Sequence, residues 1–189
     1  MLDVFLSGLP DRAQDVFVGI ILQKIFDAKF KKEPWARLPL FFLIEEAHRF
    51  ASPVEMGGKF SRNIIARITT EGAKLGLFLI IISQRPRKID PDVLSNCSNL
   101  AVLRIVNQSD QQTMRAASKY FSEDLLEDLP ALEQGEAILV GLFVPVQVMV
   151  RTGDRETKHG GRTPNIYKLL SEALKDAENK RKRRSLKLY

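Results

Sequence analysis

Two apolar runs do most to limit what this chain can fold into. One lies in the segment Leu38 to Glu46, where five apolar residues, Leu40 to Ile44, follow Pro34 and Pro39; the other is LFLIIIS, Leu77 to Ser83. Neither alternates apolar with polar residues, and short unbroken runs of this kind suit strands covered on both faces within a parallel sheet. Both stop abruptly, the first at Glu45-Glu46 and the second at Gln84-Arg85-Pro86. Open parallel sheets bind ligands beyond the carboxyl ends of their strands, so these polar stops are the first places to look for function.

The segments around them alternate. Leu2 to Leu6 reads as a short strand stopped by Ser7-Gly8-Leu9-Pro10. A helix is expected from Asp11 to about Lys31, with Ala13, Val16, Phe17, Ile20, Ile21 and Lys24 at helical spacing and Val18, Leu22, Ile25 and Phe26 widening the apolar face until most sides are covered. A second helix, about Phe60 to Leu75, has the packing stripe Ile65, Ile68, Gly72, Leu75 and an opposite face of Arg62, Arg67, Thr70 and Lys74. Leu100 to Val106 reads as a third buried parallel strand, followed by helices near Ser109–Ser118 and Glu123–Leu129. Ala137–Leu142 and Val146–Arg151 then form an antiparallel hairpin around Phe143-Val144-Pro145. Strands alternating with helices predict an α/β domain with a mostly parallel sheet and right-handed crossovers. The expected organisation is a core over residues 1–152, a linker at 153–164 and a basic helix or tail at 165–189. No internal repeat is present.

Charge belongs to the tail. The chain of 189 residues has 29 Lys plus Arg against 23 Asp plus Glu, a formal charge of +6, yet residues 180–189 hold six of the bases and no acid, leaving 23 of each elsewhere. A single cysteine, Cys97, excludes an intramolecular disulfide framework and a cysteine-rich zinc site and fits a reducing, cytoplasmic setting. The longest apolar stretch, Val16 to Leu22, falls far short of the roughly 20 residues that cross a bilayer, so no membrane partner is expected.

Apolar residues followed by paired acids form the pattern of a Walker B strand, in which one carboxylate organises Mg²⁺ through water and the next polarises the attacking water. Adjacent residues leave a strand end in different directions, so Glu45 can face the metal and Glu46 the γ-phosphate. Two acids can also simply open the following loop or helix, where the dipole favours them. Gln84, ending a neighbouring strand, can hydrogen-bond the attacking water or the γ-phosphate, or merely begin a surface turn. His48 reads as a structural or supporting residue; Asn107, Gln108 and Asp110 read as a helix cap.

Taken in order, LPLFFLIEEAHRF, TTEGAKLG, LFLIIISQRPRKIDPDVLSNCSN, LRIVNQSDQQTMRAAS and LPALEQGEAILVG resemble the carboxyl-terminal half of the HerA-like DNA-translocating ATPases, relatives of FtsK within the RecA-like P-loop class. The resemblance implies a RecA-like core, ATP and Mg²⁺ as cofactors, double-stranded DNA as substrate, a hexameric ring and a nuclease partner. It assigns Glu45 to the magnesium-associated acid, where many relatives have Asp, Glu46 to the catalytic glutamate and Gln84 to the strand-end sensor.

Two departures from that pattern matter. Relatives often read EGRK where this sequence has Glu71-Gly72-Ala73-Lys74, so an arginine acting on the neighbouring subunit falls to Arg67, two turns earlier, or less suitably to Lys74, which lacks the planar fork. Arg67 can equally be a solvated helix residue. More importantly, GxxxxGK[ST] is missing: Gly58-Lys59 is followed by Phe60, and Pro53 stands where the first glycine belongs. The expectation is therefore a half-domain without its P-loop strand, inactive unless a P-loop half is supplied, the alternative being a non-catalytic nucleic-acid-binding or assembly subunit. Lys180, Arg181, Lys182, Arg183 and Arg184 suit phosphate contacts on DNA, a helix end favoured by the dipole, or a brace against the next subunit.

Overall fold

A computed structural model describes residues 3–56, 59–117, 121–154, 156–157, 166–167 and 170–171. Chain contacts divide the protein into two units, 1–152 and 153–189. Lys180 to Arg184 lie outside the described residues, as does most of the expected linker and terminal helix.

In chain order the elements are α1 (Asp11–Phe30), β1 (Leu40–Ile44), α2 (Phe60–Glu71), β2 (Leu77–Ile81), α3 (Pro91–Ser95), β3 (Asn99–Val102), α4 (Gln108–Ala117), α5 (Glu123–Asp128), β4 (Glu136–Gly141) and β5 (Val148–Arg151). The fold is α/β. β1 and β2 pair in parallel, Leu40 opposite Leu77 through Ile44 opposite Ile81. The crossover between them is α2, extended by a 3₁₀ turn over Gly72–Leu75. β3, β4 and β5 form a separate antiparallel sheet in that order. The expected hairpin is thus β4–β5.

Three expectations about strands are corrected. Residues 3–6 form no strand, and Phe5 is exposed; a strand exists only where a neighbour completes its ladder. The run from Leu100 ends as a strand at Val102 and pairs antiparallel with β4, not in the parallel sheet. An apolar run encodes burial, whereas the partner decides direction. β1 and β2 are also covered on one face only. Leu40, Phe42, Ile44 and Leu77 join the core with α1 and α2, while Phe41, Leu43 and Ile80 face outward and are exposed. Phe41 stacks on Phe78 at 4.8 Å across that open face.

α1 forms as expected but turns a different side inward. Leu22 and Phe26 are buried together with Gly19, Asp15 and Lys29, and Val16, Phe17 and Ile20 are exposed. The determinant is a close helix crossing. A Cβ on Gly19 would stand 2.5 Å from the Phe60 ring and 3.2 Å from Ser61 Cα, so a larger residue would force the Phe60 ring aside and crowd the amino end of α2. Asp15 then caps that end from 45 residues away: its carboxylate accepts from the amides of Phe60 at 2.8 Å and Ser61 at 3.1 Å. Ser61 Oγ lies 2.6 Å from Asp15 and 2.8 Å from the Phe50 carbonyl, with one proton to give to either. Lys59, at the N-cap position, provides no side-chain cap, so the orphan amides of α2 depend on Asp15.

The stripe of α2 is as read from its spacing: Ile65, Ile68 and Gly72 are buried and Leu75 is half-buried. Its expected outer face is less uniform. Arg62 donates through Nε to Asp90 at 2.9 Å, and Asp90 is buried, capping α3 through the amide of Asp92 at 3.0 Å. Asn107 likewise caps α4, accepting from the amide of Asp110 at 3.2 Å.

Candidate functional site

The parallel register brings the two polar stops side by side. Beyond the ladder, Ile82 N donates to the Ile44 carbonyl at 3.0 Å and Ala47 N to the Ile82 carbonyl at 2.9 Å. Glu45 and Glu46 on one strand end therefore lie beside Ser83 and Gln84 on the other. To turn there, Glu46 adopts left-handed backbone angles, φ 49° and ψ 43°. Its carbonyl accepts from Arg49 N at 2.8 Å, which closes the 3₁₀ turn Ala47–Arg49. Glutamate has no intrinsic preference for this region, and strain retained at a non-glycine residue is a feature of functional sites.

Glu45 is exposed and has neither a hydrogen bond nor an ion pair among the described residues. Glu46 is half-buried and has a partner: His48 Nδ1 stands 3.2 Å from its Oε2. The same nitrogen lies 3.3 Å from Ser83 Oγ, which accepts from Arg85 N at 3.1 Å. A proton on Nδ1 is thus donated to the carboxylate or to the hydroxyl. Burial, followed by the cations Arg85, Lys88 and Arg49, holds the His48 pKa below its ordinary value of 6.5, against an opposing pull from Glu46. A neutral imidazole at neutral pH follows.

Gln84 is exposed, one residue beyond Ser83, and bonds to neither acid. Arg67 is not part of this cluster. It pairs with Glu71 at 3.3 Å and its guanidinium lies 4.3 Å from the centroid of the Phe26 ring. Sequence reasoning placed His48 in a supporting role but missed Ser83, although both flank the strand ends as the first polar side chains next to the acid pair and the glutamine.

Two carboxylates and an amide at adjacent parallel strand ends can orient and polarise a water. Among the described residues no group of three or more His, Cys, Asp or Glu could itself hold a metal ion, so Mg²⁺ fits only as an ion held largely by phosphates and waters. The amides and lysine that cradle phosphates are absent from the 189 residues.

The α/β fold is RecA-like, as solved structures show. The genome packaging NTPase B204 from Sulfolobus turreted icosahedral virus 2, in complex with AMPPCP, superposes with a TM-score of 0.55 and 15% identity, over 75% of this chain and 63% of that one. VirB4 of Thermoanaerobacter pseudethanolicus gives 0.57 and 15%, over 80% and 40%. Within this class the chain is HerA-like. The DNA double-strand break repair helicase HerA of Sulfurisphaera tokodaii is 35% identical over 92% of this chain and 35% of its own length. That of Pyrococcus furiosus is 36% identical over 94% and 37%. The chain therefore spans about a third of the length of these curated relatives. No protein-family model matches it. Among the described residues no helix is long and apolar enough to cross a membrane.

Proposed function

We propose that this polypeptide supplies the Walker B and sensor half of a HerA-like, ATP-driven double-stranded DNA translocase, and that hydrolysis depends on a P-loop half. The observation that carries the reading is Glu46, strained at the end of β1 and pinned beside the end of β2. In this reading Glu46 polarises the attacking water, His48 orients its carboxylate, Glu45 meets the Mg²⁺ hydration shell and Gln84 senses the γ-phosphate. Bound ATP with Mg²⁺ would supply the transferable phosphoryl group; this chain's residues position the water. Arg67 is the candidate for charge neutralisation in a neighbouring subunit of a hexameric ring, and Lys180 to Arg184 are candidates for DNA phosphates. A nuclease partner belongs to the same proposal.

The open face of β1 and β2 supports dependence on a further body, because a parallel sheet is ordinarily covered on both sides. Phosphate release measured with the chain alone, and again with a P-loop-containing partner, tests this directly. Turnover is expected only in the second case, and Glu46→Gln should lower it at least about a hundredfold with assembly intact. Robust turnover by the chain alone overturns the half-site reading. Unchanged turnover in Glu46→Gln, with assembly preserved, favours the non-catalytic assembly subunit.

A further inference from the structure

Ser83 has no part in the hydrolysis reading, yet its hydroxyl touches both strand ends. Two backbone ties join the segment that follows β1 to the segment that follows β2. Ala47 N donates to the Ile82 carbonyl at 2.9 Å, and further out Asp90 N donates to the Ala51 carbonyl at 2.7 Å. Between these ties, among the described residues, one hydrogen-bonding contact crosses from segment to segment, that of Ser83 Oγ with His48 Nδ1 at 3.3 Å. Gln84 lies inside the span it bridges, and Glu46 is held by the same imidazole.

The chemistry of the contact assigns its protons. A carboxylate only accepts, so the approach of Glu46 Oε2 to 3.2 Å puts a proton on Nδ1. Ser83 Oγ therefore accepts at that nitrogen, and it accepts a second time from Arg85 N at 3.1 Å. A hydroxyl oxygen has two acceptor lone pairs, and both are committed. The second bond closes a turn with Gln84 at its centre, the serine counterpart of an Asx turn. Water satisfies an exposed amide equally well; what the serine adds is the tie to an imidazole on the other strand end. We infer that Ser83 is a positioning residue: one oxygen sets both the turn that presents Gln84 and the ring that holds Glu46, so the two keep a fixed relation. The inference rests on the hydrolysis reading for its consequence in turnover, but not for its geometry.

Two measurements test it. In the full chain alone, at one fixed pH, long-range proton–nitrogen NMR reads the ring nitrogens of His48. Ser83→Ala should move the Nδ1 resonance without changing the thermal midpoint, and Ser83→Thr, which keeps the hydroxyl, should return the resonance to its parent position. With a P-loop-containing partner, Ser83→Ala should lower kcat about tenfold and leave KM for ATP within about twofold of the parent. Ser83→Thr should restore kcat. In a Glu46→Gln background Ser83→Ala should change nothing further, because residues that act through one group are not additive. An Nδ1 resonance unmoved by Ser83→Ala overturns the inference. So does an equal loss of kcat in the Glu46→Gln background, or a failure of Ser83→Thr to restore the parent behaviour. If no partner yields turnover even with the parent chain, the hydrolysis reading fails, and the NMR result alone decides whether Ser83 joins the strand ends.

Discussion

The parallel pair β1–β2 and the antiparallel sheet β3–β4–β5 finish their packing to different degrees. In the antiparallel sheet the middle strand is enclosed: Ala137, Ile138 and Val140 are all buried between their neighbours and the helices. In the parallel pair only one face is enclosed, and Phe41 and Leu43 remain 66% and 57% exposed. Yet it is the unfinished sheet whose strand ends hold the acid pair and the glutamine. Packing completeness and the polar strand ends are distributed oppositely.

Substitution can break that contrast. Ile138→Ala, in the enclosed strand, is expected to cost about 3 kcal/mol, whereas Leu43→Thr on the open face should cost less than about 0.5 kcal/mol; urea unfolding followed by circular dichroism measures both, and equal losses would erase the distinction. The next effect concerns the helix that carries the parallel crossover. Asp15→Ala should lose about 2 kcal/mol, since two backbone amides and a hydroxyl lose a charged acceptor, and Asp15→Asn should recover part of it. A smaller change of opposite sign is expected at the strand end itself. Glu46→Gly should raise stability by up to about 1 kcal/mol through relief of left-handed strain, while removing the carboxylate on which the proposed hydrolysis depends.

The smallest effect is electrostatic. His48 should titrate below 6.5, because burial and three neighbouring cations outweigh the pull of Glu46. A folded-state pKa below the unfolded one means that its contribution to stability is present above about 6.5 and is lost as the pH falls through the lower, folded value. Imidazole proton shifts in NMR report the midpoint. Glu46→Gln should lower it further, and a midpoint above 6.5 would refute the assignment.

Much of this was legible beforehand, for local reasons. Apolar runs and their polar stops name β1 and β2, and the stripe through Ile65, Ile68 and Gly72 names the inner side of α2. What escaped depends on distant partners. α1 has apolar residues on more than one side, and periodicity alone does not show that Gly19 and Asp15 select the side containing Leu22 and Phe26. The direction of β3 is decided by β4, some 35 residues later. At the site, the acids and Gln84 are readable because they end strands, but the bridge from His48 to Ser83 exists only once two segments are laid in register.

The hydrogen bonds that continue past the ladder, from Ile82 to Ile44 and from Ala47 to Ile82, have a mechanical meaning. They fasten the two strand ends into a single rivet, so a pull on the segment leaving β2 is delivered to the turn that holds Glu46 without slack between them. The turn at Glu46 and the segment leading to Gln84 are consequently tied through the backbone, so a displacement of one strand end is passed on to the other.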